Sequence, residues 1–78
     1  IIAKRGGMLA FVEVKARRDF ESAAYAIGQR QQERITRAAG AYIARHPGCA
    51  ELNLRFDVIL MAPGGWPKHI PGAWRPKE

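Results

Sequence analysis

Alternating apolar and polar positions at the start of the chain predict a β-hairpin. Residues 1–5 are expected to form a first strand, and Gly6 and Gly7 supply the positive φ angles of a tight turn. Residues 8–17 are expected to form the second strand. Period-two alternation places one apolar set on one face of that strand: Met8, Ala10, Val12, Val14 and Ala16. The other face begins apolar and ends charged: Leu9, Phe11, Glu13, Lys15 and Arg17.

Residues 29–45 have the spacing of an amphipathic helix. Their apolar positions follow the i, i+3, i+4, i+7, i+8 pattern of a core-facing stripe: Ile35, Ala38, Ala39, Tyr42 and Ile43. At about 100° per residue, the basic side chains fall together on a second face beside this stripe. They are Arg30, Arg34, Arg37 and Arg45. The sequence His46-Pro47-Gly48 is expected to end the helix.

A third strand is predicted over residues 52–61. Its expected core face is Leu52, Leu54, Phe56, Val58 and Leu60, whereas Asn53, Arg55 and Asp57 point the other way. Residues 18–28 are expected to form a loop with a short helical start. Residues 69–74 allow one more strand, at the edge of the sheet because Pro71 lacks a backbone donor. The order of elements predicts a single small α/β domain, a mixed sheet made of a hairpin and a β-α-β crossover with a flanking helix.

Composition and charge limit the classes of partner that this chain is expected to bind. The 78 residues carry thirteen basic and seven acidic side chains, which gives a net charge of +6. Such an excess favours a DNA or RNA partner, although it also serves plain solubility. The single cysteine, Cys49, excludes an internal disulfide and is typical of the cytoplasm. No apolar run has the length of a membrane span, so no membrane partner is expected.

The segment Glu13-Val14-Lys15 is the leading candidate for a metal-binding and catalytic site. Strand alternation puts the two charged side chains on one face, about 7 Å apart along the strand. A carboxylate there is a suitable ligand for Mg²⁺, and the carbonyl of Val14 offers a further oxygen. The ammonium of Lys15 can orient or help deprotonate a metal-bound water and stabilise charge on a phosphate. The alternative is a plain ion pair on the strand, worth about 0–1 kcal/mol.

The run from Leu9 to Arg17, with its Phe-Val-Glu-Val-Lys core, resembles the central motif of the YraN family. Three further stretches resemble that family in the same order. They are the helix around Ile35 to Pro47, the strand Arg55-Phe56-Asp57-Val58, and His69-Ile70. The family consists of bacterial proteins of undetermined function, assigned to the PD-(D/E)xK restriction-endonuclease-like superfamily.

The resemblance implies a restriction-endonuclease-like fold that binds nucleic acid and hydrolyses phosphodiester bonds with Mg²⁺, or with Mn²⁺ as a substitute. It implies Glu13 as metal ligand and Lys15 as the catalytic base or charge-stabilising group. In the family, the hairpin follows a helix and a Gly-Glu-Ile-Asp-like stretch that supplies a second carboxylate. This chain is expected to lack both, which would leave the fragment inactive. The other hypotheses are a non-catalytic nucleic-acid-binding module and a homodimeric assembly unit on the same fold.

Several further residues are candidates for supporting roles. Lys15, Arg17, Arg30, Arg34 and Arg37 are expected to contact phosphates. Gln31 lies between the basic and apolar helix faces and is expected to reach the site and support it from outside the metal ligands. Asp57 is either a replacement or additional acid of the site or, preferably, the ion-pair partner of Arg55 or another nearby base on the sheet. Trp66 and Trp74 are expected to cover a thin core rather than to stack on bases.

Overall fold

The computed structural model describes residues 1–16, 18 and 27–75. Four strands and one α-helix follow one another along the described chain. They are β1 (Ile2–Arg5), β2 (Met8–Ala16), α1 (Gln29–Arg45), β3 (Asn53–Met61) and β4 (Lys68–Trp74), with a short 3₁₀ turn at Pro47–Cys49. The bounds of α1 coincide with the predicted helix. The predicted loop over residues 18–28 lies mostly outside the described residues, and Arg17 lies outside them too.

The sheet has the order β1-β2-β3-β4. β1 is antiparallel to β2, β2 is parallel to β3 and β4 is antiparallel to β3. The predicted mixed α/β sheet is therefore confirmed, and it is compatible with a small α/β nuclease-like fold. In the hairpin turn, Gly6 has a φ of +56°. Gly7 does not share the positive φ predicted for it, because a type II′ turn requires that angle only at its first central position.

The helix packs on one face of the sheet, where the parallel register aligns aromatic side chains. Phe11 and Phe56 are register partners, and their ring centroids lie 5.8 Å apart. Together with Leu9 of β2 and Ala39 of α1 they form the buried centre. Trp74 of β4 extends this layer by stacking on Phe56 at 5.1 Å. Burial of these large apolar side chains is the main stabilising contribution, about 1.5–3 kcal/mol for each.

Among the expectations about the core, those for Leu54 and Trp66 are wrong. Leu54 was expected inside but is 44% exposed. The described part of β4 pairs with β3 only as far as Phe56, so no described strand adjoins Leu54 on that side. Trp66 was expected to cover the core but is 90% exposed, because it lies in the loop before β4 rather than on a strand. Trp74, by contrast, covers the core as predicted.

β4 is the edge strand that the sequence predicted, one residue longer than expected. Its pairing with β3 shifts register between Phe56 and Val58. There, three residues of β4, among them Pro71 and Gly72, lie opposite a single residue of β3. Gly72 has a φ of +61°, which other residues rarely adopt, so a glycine suits the irregularity. No helix in the described part of the chain is long and apolar enough to cross a membrane.

Candidate metal and nucleic-acid site

Glu13 and Lys15 lie on the face of β2 that α1 covers, just past the apolar centre. Their side chains form an ion pair, with Lys15 Nζ 3.4 Å from Glu13 Oε1. Gln31 of α1 donates from Nε2 to the same carboxylate oxygen at 3.3 Å. The side chains are 17% exposed for Lys15 and 29% exposed for Glu13. One partly buried carboxylate is thus held between an ammonium and an amide, and Gln31 contacts the candidate site through Glu13.

The backbone of β2 directs a carbonyl oxygen to the same edge. Val12 both donates to and accepts from Ile1, so its N–H and C=O point toward the β1 side. Because backbone groups alternate along a strand, the carbonyl of Val14 points to that side as well. The described hairpin pairing ends at Val12, so no described strand adjoins Val14 there. Glu13 also lines a pocket with Ile1 and Ile2, so the Val14 carbonyl and the Glu13 side chain both lie toward the β1 side of β2.

A basic cleft adjoins this edge. Its volume is about 520 Å³, and its lining is Lys15, Gly28, Arg30, Gln31 and Arg34. α1 begins here, with Gly28 at its N-cap, no side-chain cap and no acidic residue in the first turn. The structure thus brings Lys15 of β2 together with two arginines of α1 at the start of the crossover helix. Positive charge concentrated in this way attracts phosphate groups.

The other predicted phosphate contacts lie farther along the chain. Arg37 is exposed on α1 and lines a different cavity with Thr36, Trp74 and Arg75. Arg45 lies in the last turn of α1, where a positive charge complements the helix dipole. The adjoining residue His46 ends the helix, and its Nδ1 donates to the carbonyl of Tyr42 at 2.8 Å. The structure does not gather all four helix arginines around Glu13.

Asp57 belongs to the opposite face of the sheet. It is the register partner of Val12, not of Glu13, and it is 1% exposed. Arg55 donates to both carboxylate oxygens, from Nε at 2.8 Å and from Nη2 at 2.9 Å. The backbone N–H of Gly72 donates at 3.0 Å, and Nε2 of His69 lies 2.8 Å from Oδ2. The predicted pairing with Arg55 is confirmed, whereas the alternative of an additional acid beside Glu13 is wrong.

The pKa of Asp57 reflects two opposing effects. Burial raises the pKa of this carboxyl, but hydrogen bonds from Arg55, Gly72 and His69 lower it further than burial raises it. The result is a pKa below the ordinary value of 3.8, so Asp57 is ionised at neutral pH. The hydrogen bond with Asp57 in turn raises the pKa of Arg55. Asp57 is thus a structural anion that holds β4 against β3.

Sequence reasoning missed two partners of Asp57. They are His69 and Gly72, and both come from β4, whose pairing with β3 is irregular next to Asp57. The available signal in the sequence is a single acid within a largely apolar strand. A carboxylate buried there requires ion-pair or hydrogen-bond partners.

The oxygen donors at the Glu13 edge fit a hydrated magnesium ion in part. Mg²⁺ commonly takes one or two carboxylates, retains several waters and shares substrate phosphates. Glu13 and Val14 supply one carboxylate and one carbonyl of this hard-oxygen type. No cluster of three or more acidic, histidine or cysteine side chains suited to a metal occurs among the described residues. A divalent ion at this edge would therefore depend on further ligands, such as the phosphate of a bound nucleic acid.

Comparison with known proteins agrees with the motif on β2. The model of the uncharacterised protein family UPF0102 matches residues 1–61, which include the hairpin, the helix and most of the sheet. The chain belongs to this family. UPF0102 is the family to which YraN belongs, so the resemblance noted in the sequence is confirmed.

UPF0102 proteins of three bacteria illustrate how much is shared. The protein of Parvibaculum lavamentivorans is 50% identical over 76 residues, which are 97% of this chain and 57% of that protein. The protein of Rhodopseudomonas palustris is 53% identical over 74 residues, 95% of this chain and 57% of that protein. The protein of a Bradyrhizobium species is also 53% identical over 74 residues, 95% of this chain and 52% of that protein. The chain thus spans a little more than half the length of these UPF0102 relatives.

Proposed function

We propose that this UPF0102 chain is a nucleic-acid-binding domain whose Glu13–Lys15 edge serves metal-dependent phosphodiester hydrolysis in the complete protein. One observation carries the proposal. Lys15 is ion-paired with Glu13 and also lines the basic cleft with Arg30 and Arg34. A carboxylate that can hold a hard cation therefore adjoins three positive charges that can hold a phosphate. Hydrolysis of a phosphodiester bond requires both elements.

Each side chain has a defined part in the proposal. Glu13 and the Val14 carbonyl would hold Mg²⁺, or Mn²⁺ in its place, and such an ion lowers the pKa of bound water and neutralises phosphate charge. Gln31 positions the Glu13 carboxylate through its hydrogen bond. The Lys15 ammonium orients the attacking water and stabilises negative charge on the phosphate.

The remaining phosphate contacts are assigned to arginine. Arg30 and Arg34 line the cleft, Arg37 is exposed farther along α1, and Arg17 follows β2 outside the described residues. The proposed partner is DNA or RNA. These positions offer contacts to the sugar–phosphate backbone rather than to the edges of bases, so the proposal names both nucleic acids. We place the protein in the cytoplasm, where the free thiol of Cys49 remains reduced.

The incomplete ligand set favours a second candidate. Glu13 is the single carboxylate at this edge in the described part of the chain, and one carboxylate is a thin ligand set for a divalent ion. A domain with the same basic cleft but without productive metal binding would act as a non-catalytic nucleic-acid-binding or dimeric assembly module. The fold is compatible with either function.

A cleavage assay with the complete gene product separates the two candidates. Single strands, duplexes and branched substrates are incubated with Mg²⁺ or Mn²⁺, and Glu13→Gln and Lys15→Ala are compared with the exposed control Glu51→Gln. We expect metal-dependent cleavage that falls at least about 100-fold in the first two variants and is unchanged in the control. Their nucleic-acid affinity should change much less, since several other contacts remain. Binding without cleavage of any substrate would refute the enzyme proposal and leave the binding module.

A further inference from the structure

The basic cleft carries more positive charge than one internal phosphodiester can match. Lys15, Arg30 and Arg34 line it together, and among the described residues Glu13 is the carboxylate that pairs with Lys15. Among these four described side chains, three cations and one anion leave an excess of two positive charges. An internal phosphodiester carries one negative charge, whereas a phosphate monoester carries about 1.5 to 2 at neutral pH. The charge of the cleft therefore matches a monoester better than a diester.

The donors of the cleft are also of the kind that a monoester requires. The guanidinium groups of Arg30 and Arg34 offer paired N–H donors, and the ammonium of Lys15 offers further N–H donors from a third residue. Lys15 is mostly buried, with 17% of its side chain exposed, so its charge is screened less than that of a surface lysine. Gly28 also lines the cleft and has no side chain that would occupy it. A phosphate group with three free oxygens can engage more of these donors than a phosphate bridged on both sides.

We infer that the Lys15–Arg30–Arg34 cleft recognises a terminal phosphate monoester of a nucleic-acid strand, so that the preferred substrates are strand ends that carry phosphate. This inference rests on the proposed nucleic-acid function and specifies its substrate class. Glu13 adjoins the cleft, so a terminal phosphate held there places the end of the strand beside the candidate metal edge. Arg37 lines a separate cavity and contributes general attraction without end preference.

Binding of short labelled single strands tests the inference directly. Four probes of one sequence are compared at fixed salt, with a 5′-phosphate, a 3′-phosphate, both or neither. We expect about tenfold tighter binding of a phosphorylated end, the effect of roughly one additional charge-assisted hydrogen bond. The 5′ and 3′ probes identify which end the cleft accepts. Equal affinity for all four probes would overturn the inference while leaving the nucleic-acid function intact.

Variants locate the preference in the cleft. Arg30→Ala and Arg34→Ala should each reduce the ratio of affinities for phosphorylated and unphosphorylated probes toward one. Arg37→Ala should lower both affinities and leave the ratio unchanged, and Arg5→Ala, at the distant end of β1, should change neither. A ratio that survives in Arg30→Ala/Arg34→Ala would place the end recognition elsewhere and refute the assignment.

A small-molecule titration keeps the inference testable even if no oligonucleotide binds. A nucleoside 5′-monophosphate and the corresponding nucleoside are added to the ¹⁵N-labelled chain, and amide shifts are followed by NMR. We expect the monophosphate to shift the amides of Gly28, Arg30 and Gln31, and the nucleoside to leave them in place. If the monophosphate shifts none of these amides, the inference is wrong. Shifts without oligonucleotide binding would retain the phosphate site and refute the proposed nucleic-acid function alone.

Discussion

Replacement of Asp57 tests whether the buried anion supports the sheet rather than the chemistry. Asp57→Ala removes a 1% exposed carboxylate and with it four hydrogen-bond contacts, from Arg55, His69 and Gly72. Breaking a deeply buried ion pair costs about 3–5 kcal/mol, because the remaining charge is stranded. Here the remaining partners reach water, since the side chains of Arg55 and His69 are 37% and 51% exposed. We therefore expect a loss of about 2–3 kcal/mol.

Thermal and urea unfolding followed by circular dichroism measure this loss. For a domain of this size, it corresponds to a fall in Tm of about 10–20 °C. Glu51→Ala is the matched control, because it removes one acid from an exposed position and should change stability by no more than about 0.5 kcal/mol. Equal stability of Asp57→Ala and the control would refute the structural role assigned to Asp57.

The pH dependence of the same variants provides a second check. The pKa of Asp57 is lowered in the folded chain, so its stabilising contribution is complete above the ordinary value of 3.8 and is lost as the pH falls through the folded pKa. The stability difference between the natural chain and Asp57→Ala should thus be constant near neutrality and shrink below about pH 4. A difference that grows in acid would contradict the low pKa.

Two further predictions concern metal binding and self-association. Calorimetry should show weak binding of Mg²⁺ or Mn²⁺ to the chain alone and tighter binding when an oligonucleotide is present, because phosphate oxygens complete the ligand set. The Glu13→Gln variant should bind neither ion measurably. Metal binding that is equally tight without nucleic acid and in Glu13→Gln would refute this site. Light scattering should report a dimer or larger species. Apolar side chains are exposed at the β1 edge and on the sheet face opposite α1, and such patches favour association. A monomer at every concentration would count against the homodimer. The exposed residues concerned are Ile1, Ile2, Val14 and Met61.

Local periodicity was enough to predict most of the elements. α1 begins and ends at the predicted residues, and the strands differ from prediction by one residue where they are described. The alternation along β2 also predicted that Glu13 and Lys15 share a face. These features depend on contacts within one element, or between neighbours along the chain, which spacing alone encodes.

The features that sequence reasoning missed depend on distant contacts. The burial of Asp57 requires that β4 return past a bulge, so that His69 and Gly72 reach it from 12 and 15 residues away. The separation of Arg37 from Arg30 and Arg34 depends on where α1 lies over the sheet, which the helical wheel does not give. The contrast between Trp74 and Trp66 likewise depends on which of them pairs with Phe56.

The salt dependence of nucleic-acid binding tests the central claim most directly. Fluorescence anisotropy of a labelled duplex is measured between about 50 and 200 mM salt. Lys15, Arg30, Arg34 and Arg37 are the proposed phosphate contacts within the described residues, and together they should contribute about −3.6 to the slope of log affinity against log salt, for about four phosphates. The triple variant Arg30→Ala/Arg34→Ala/Arg37→Ala should make the slope shallower by about 2.7, whereas Arg5→Ala should leave it unchanged. No binding, or binding without a salt slope, would contradict the account.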